Sequence, residues 1–173
     1  MKVRQLTLGG VLLAVGLVLH LVMPPIFLGV KPDFLLAMMF FAIMSNRDLK
    51  SSLIIGLVAG LMSAATTGFP GGQLPNLVDK IITSFVIYQL CKRMDFEYST
   101  VRIVLINIVG TLLSGGIFLT LAFMLTQQLH LWVPSIPVVL LAAVVNTGLS
   151  VFIYHTFATR SSLQRATGHS LSK

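Results

Sequence analysis

Residues Val101–Thr126 read VRIVLINIVGTLLSGGIFLTLAFMLT, 26 positions with one charge, Arg102, near the start. As a helix rising 1.5 Å per residue, a run of that length reaches about 39 Å, more than the ~30 Å hydrocarbon core of a bilayer. The run is continuously apolar and does not alternate, which argues against a strand of a transmembrane barrel. Lipid offers no partner for backbone amides, so a helix is required. Five further apolar segments flank it, giving expected spans at about 6–23, 33–46, 51–67, 76–92, 101–126 and 134–158. The second is short for a crossing and is expected to borrow length from the loop before it.

Composition agrees. Of 173 residues, 55% are hydrophobic and 10% charged, against roughly 25% charged in a soluble domain. A chain this small has too little interior to hide that apolar surface from water. The expected fold class is an all-α integral membrane protein, with six transmembrane helices in a single domain over residues 1–173. The single Cys91 excludes an intrachain disulfide framework and any CxxC metal or redox site. The basic, then apolar N-terminus resembles a signal peptide but carries no convincing cleavage site, so it is kept as the first span.

Charge then orients the bundle. With both termini placed inside, ten Lys and Arg fall on the inner side: Lys2, Arg4, Arg47, Lys50, Lys92, Arg93, Arg102, Arg160, Arg165 and Lys173. Only Lys31 and Lys80 fall outside. This bias fits an even number of spans and a cytoplasmic N-terminus. The net charge of +7 is therefore read as topology and not as a nucleic-acid footprint.

Both outer cations have acidic neighbours, Lys31-Pro32-Asp33 and Asp79-Lys80. Ion pairs at or inside a membrane are functional candidates by default. An amino acid carries an ammonium, a carboxylate and a side chain. Asp33 or Asp79 suits the first; Lys31, Lys80 or the free amides opening helix four suit the second. Phe69 and Trp132 suit an aromatic or apolar group. Both pairs also fit a plainer role as interfacial snorkels and caps, and spacing leaves the two open. Asn76 is expected to cap helix four, placing Asp79 in its first turn.

Inside the spans, Asn107, Asn146, Thr147 and Ser150 need partners, either on another helix or on a ligand. His20, one turn before Pro24, fits a ligand contact or an interfacial packing role. Helix three carries Ser52, Gly56, Gly60 and Ala64 at steps of four, and helix one Gly10 and Ala14, stripes that let helices approach closely. The chain has no P-loop and no H-E-x-x-H. Leu112-Leu113-Ser114-Gly115-Gly116 resembles an intramembrane-protease nucleophile only faintly. The one possible base, His155, falls near the other end of the bundle, so an enzyme is not expected.

The outer-loop pattern Phe69-Pro70-x-Gly72-Gln73-x-Pro75-Asn76-x-x-Asp79-Lys80, with Lys31-Pro32-Asp33, resembles the bacterial tryptophan transport protein family TrpP, among the substrate-binding S components of energy-coupling factor (ECF) transporters. The resemblance implies a small multi-pass protein of the bacterial cell membrane that captures tryptophan or a related aromatic amino acid from outside. It implies docking on a membrane coupling subunit and energy from two cytoplasmic ATPases, with no cofactor or metal on this chain. The substrate-binding set would be Asp79, Lys80, Asn76, Gln73, Phe69, Lys31, Asp33, Trp132, Asn146 and His20, with Asn146 facing the indole N–H. Partner docking in such components uses Ala-x-x-x-Ala on helix one; here Gly10 and Ala14 hold those positions. Two other classes compete: a six-helix envelope scaffold, which binds no small ligand, and a solitary transporter driven by an ion gradient.

Overall fold

A computed structural model describes residues 3–22, 33–46, 48–94 and 99–170. Six helices account for them: α1 (Val3–Val22), α2 (Phe34–Ser45), α3 (Leu49–Thr66), α4 (Gln73–Arg93), α5 (Thr100–Leu125) and α6 (Ile136–Ser170). Two 3-10 turns, Leu129–Leu131 and Val133–Ser135, join α5 to α6. Three stretches are long and apolar enough to cross a membrane: Leu49–Thr66, Thr100–Leu125 and Leu129–Thr156. The apolar parts of α1 and α2, Leu6–Val22 and Phe34–Ser45, are shorter. Large apolar side chains line the outside of α1, α5 and α6, with Val18, Val101, Val144 and Phe152 each more than half exposed. On an integral membrane protein that surface belongs to lipid.

The short α2 is explained by its surroundings. It packs against each of the other five helices, and every residue from Phe34 to Met44 is buried. A helix apolar all round is stable when enclosed. Its 12 residues reach only about 18 Å. Sheathed by protein, α2 does not have to match the bilayer, and the expectation that it borrows length from the preceding loop falls on residues outside those described. What matters is where it starts. Its N-cap, Asp33, lies within the bundle, and its carboxylate accepts the Leu36 N–H at 2.9 Å.

Beyond that start the bundle is close-packed. Leu13, Leu35, Met39, Phe40, Ile43, Ile55, Ile87, Ile103 and Ile106 form one buried cluster drawn from α1 to α5. Ser150 Oγ donates to Asn107 Oδ1 at 2.6 Å, clipping α6 to α5, while Asn107 Nδ2 donates to Ile103 O at 2.9 Å. The α3 stripe packs on α4: a Cβ at Gly56 would overlap the Ser84 side chain and sit 2.9 Å from the Lys80 carbonyl. Close backbone approach there holds Lys80 and its helix in place.

Two boundaries differ from expectation. Helix α6 runs past 158 to Ser170. Helix α4 begins at Gln73 with Gly72 as its N-cap residue, so Asn76 is not the cap. Pro75 falls in the first turn, where a missing N–H removes no intrahelical bond. Asn76 instead turns its amide back, Nδ2 donating to Gly72 O at 2.8 Å. Asp79 consequently sits beyond the first turn.

Candidate functional site

At the N-terminal end of α2 the surrounding helices part around a cavity of about 790 Å³. Its floor is polar. Asp33 arrives as the α2 cap, Asp79 and Lys80 from α4, Ser114 and Thr111 from α5, Asn146 from α6 and His20 from α1. Its walls are mostly apolar, with Phe69, Phe118, Leu119, Phe123, Val138 and Val139 among them.

The wall owes one aromatic to a turn that the sequence dictates. Phe69-Pro70-Gly71-Gly72 closes with the Gly72 N–H donating to Phe69 O at 2.9 Å. Pro70 occupies the second position and Gly71 the third, with φ +72°. That is the residue pattern of a type II turn, which needs a positive φ at its third residue. The Phe69 N–H donates to Thr67 Oγ1 at 3.2 Å. So held, Phe69 meets Phe118 edge-on at 5.5 Å between centroids and Phe123 at 6.0 Å. Edge-to-face packing of this kind leaves ring faces for another aromatic group.

The floor is one connected network. Lys80 Nζ lies 2.7 Å from Asp79 Oδ2, donates to Ser114 Oγ at 3.2 Å and lies 3.7 Å from Asp33 Oδ2. Ser114 Oγ donates to Asp79 Oδ2 at 2.8 Å, and Thr83 Oγ1 to Asp79 Oδ1 at 2.9 Å. Asp79 is fully buried and Lys80 nearly so. Such an ion pair is tolerated away from water only when its remaining donors and acceptors are satisfied, and these are. Asp33 differs: its side chain is 27% exposed, with His20 Nδ1 at 3.6 Å. Its own N–H donates to Asn146 Oδ1 at 2.8 Å, which locks the α2 start to α6. Thr111 Oγ1, buried at the floor, has no hydrogen-bond partner among the described residues.

Of the residues singled out from sequence, the cavity gathers Asp79, Lys80, Asn76, Phe69, Asp33, Asn146 and His20. Gln73 is exposed at the first position of α4 and does not line it. Trp132 does not line it either: its indole Nε1 donates to Thr120 Oγ1 at 3.0 Å, and Thr120 is not among the lining residues. Lys31 lies outside the described residues. Sequence reasoning passed over Thr111, Phe118 and Phe123, and weighed Ser114 only as a faint nucleophile, not as a binding group. The signal was present in α5, where Thr111, Ser114, Gly115 and Phe118 recur at steps of three and four and so share one face. Among the described residues no group of three His, Cys, Asp or Glu could hold a metal ion.

A buried salt bridge, a half-open carboxylate and a ring-sized aromatic wall suit a zwitterion with an aromatic side chain better than they suit covalent chemistry. Comparison with known proteins points the same way. The family model described as tryptophan transporter TrpP matches residues 2–163. A probable tryptophan transport protein of Clostridium acetobutylicum is 40% identical over 156 residues, 89% of this chain and 91% of that relative. One of the same description from Bacillus subtilis is 35% identical over 170 residues, 96% of this chain and 99% of the relative. A third, from Clostridium perfringens, is 31% identical over 174 residues, 94% of each. No solved structure matches the chain. With one family model covering the described helices from α1 into α6, the chain belongs to the TrpP tryptophan transporter family, a family of membrane transport proteins and not of enzymes.

Proposed function

We propose that this chain is the substrate-binding subunit of a tryptophan uptake system, and that the cavity takes tryptophan or a related aromatic amino acid from outside the cell. The observation that carries the reading is the cavity's polarity: ions gathered at its floor, Phe69, Phe118 and Phe123 on its walls. The amino acid enters head first. Its charged head meets the floor of Asp33, Asp79, Lys80 and Ser114 while the ring stays among the aromatics. Water expelled from the floor strengthens each polar contact.

The topology of the reading puts both termini in the cytoplasm of a bacterial cell and opens the cavity outward, and the distribution of Lys and Arg supports it. Energy comes from partners, as in ECF systems: a membrane coupling subunit and two cytoplasmic ATPases that hydrolyse ATP, with no cofactor on this chain. The α1 face carrying Gly10 and Ala14 is the docking candidate. Both residues are exposed, and a Cβ at Gly10 would meet nothing within 4 Å.

Calorimetry on the purified chain, with a panel of amino acids, tests the substrate. Tryptophan should bind, and aliphatic amino acids should bind at least about tenfold more weakly for want of ring contacts. Binding of a chemically unrelated compound, with none of tryptophan, overturns the reading. Uptake in liposomes tests the energy source: tryptophan accumulation by the lone chain under an ion gradient, without ATPases, would remove the ECF assignment while leaving the binding site intact.

A further inference from the structure

The two carboxylates on the floor have unequal capacity left. Both oxygens of Asp79 are taken: Oδ2 by Lys80 and Ser114, Oδ1 by Thr83. An ammonium has three donors; on Lys80 two go to Asp79 and Ser114, and the cation is only 3% exposed, so little of it is left for a ligand. Asp33 is more open. Its Oδ2 has only the 3.7 Å approach of Lys80, longer than a hydrogen bond, and its side chain is the most open of the three ions. Counted as formal charges, the described floor has two carboxylates, Asp33 and Asp79, for the one ammonium of Lys80.

We propose that the site recognises the ammonium of its ligand through Asp33 and does not require the carboxylate, so that its substrate class extends to aromatic primary amines. The proposal rests on the reading that this cavity binds tryptophan. An ammonium on Asp33 completes a hydrogen-bonded ion pair and balances the second carboxylate of the floor. A carboxylate brought to the same place finds Lys80 buried and largely committed to Asp79 and Ser114, and is repelled by Asp33. Among the described residues it is left with neutral donors such as Asn146. Charge-assisted bonds are about twice as strong as neutral ones, and a like charge in a partly desolvated pocket is penalised. The ammonium thus supplies the attraction and the carboxylate little or none.

The test is calorimetry on the full chain in detergent at about pH 8, where an imidazole in water is neutral. The probes are tryptophan, tryptophanamide, tryptamine and indole-3-propionate. Tryptamine should bind within about threefold of tryptophan, or more tightly, and so should tryptophanamide once its affinity is scaled to the protonated share of its amine, which titrates near this pH. Indole-3-propionate should bind at least about a hundredfold more weakly. Asp33→Asn keeps the helix cap, since Asn caps as well as Asp. It should preserve the thermal midpoint and weaken tryptophan and tryptamine together by about thirtyfold or more. Tryptophan binding with tryptamine excluded overturns the proposal and leaves the cavity reading standing. So does an Asp33→Asn variant that binds tryptamine unchanged. Absence of binding by all four indoles overturns the cavity reading and the proposal with it.

Discussion

On one side of Asp33 the bundle is solid; on the other it is hollow. The solid half encloses α2, and Leu35, Met39, Phe40, Ile43, Ile87, Ile103 and Ile106 are no more than 1% exposed. The hollow half uses α1, α3 and the same α4, α5 and α6 to surround about 790 Å³ with a salt bridge at its base. Between helices in lipid the driving force is packing and polar bonding, since lipid is as apolar as the side chains. A void forfeits packing, and a buried ion pair often fails to repay its own desolvation. The hollow half is therefore held by the solid one. Stability and binding occupy different ends of the same helices, so substitutions at the two ends should separate them.

The largest effect is expected in the solid half. Phe40→Ala removes a ring that is fully buried on the central helix. It should lower stability by about 3–5 kcal/mol through lost contacts and the cavity left behind. The measurement is thermal unfolding in detergent. Tryptophan affinity of the fraction that stays folded should change by less than about threefold, because no ligand contact is touched. A change below ~1 kcal/mol would show that the solid half does not carry the fold.

Asp79→Asn works on the seam between the halves. Removing one partner of a buried pair costs about 3 kcal/mol or more. Here Lys80 has Asp33 as an alternative at 3.7 Å, which holds the loss to the lower end. That rescue has a functional consequence. Lys80 drawn onto Asp33 occupies the one open carboxylate, so tryptophan binding should be lost even in protein that folds. A folded Asp79→Asn variant with undiminished affinity would contradict the division of labour between the two aspartates.

Phe118→Ala belongs wholly to the hollow half. Phe118 is half-buried and contributes an edge contact to Phe69 at 5.5 Å. Its truncation should cost less than ~1 kcal/mol of stability, since the cavity beside it is already open. Affinity for tryptophan should fall up to about tenfold, the value of one aromatic contact. The ratio of the two losses, opposite to that of Phe40→Ala, is the sharpest sign that the halves are independent.

How much of this was legible in the sequence follows the same division. The six helices were readable because each is a continuous apolar run, and the long ones have the length that lipid imposes. The Gly56 stripe was readable because small residues at steps of four invite a neighbour. The enclosure of α2 was not: a uniformly apolar segment reads the same whether it faces lipid or protein, and only its shortness hinted otherwise. Asp33, Asp79 and Lys80 stood out because charge is rare in such a chain. Their inequality did not, since it depends on Ser114 and Thr83 reaching Asp79 and on α2 starting inside the bundle. Trp132 misled because a lone indole near the cavity end of the bundle looks like a binding group, whereas its N–H is consumed by Thr120. Gln73 misled because it belongs to the loop motif but lands on the exposed side of the first turn.

Thr111 marks the boundary between the halves and gives the smallest effect. Its hydroxyl is buried without a partner among the described residues, one turn from Ser114 on the cavity face of α5. A buried hydroxyl left unmade is a liability of about 1–3 kcal/mol, and replacing it with an apolar group of the same shape is near neutral or stabilising. Thr111→Val should therefore leave the thermal midpoint unchanged or raise it slightly, by less than ~1 kcal/mol. Tryptophan affinity then sorts the residue. Unchanged affinity assigns Thr111 to the solid half, as packing beneath the floor. A loss of about fivefold or more, with the midpoint preserved, assigns it to the hollow half, because only a hydroxyl that finds its partner in the ligand would be missed in binding and not in folding.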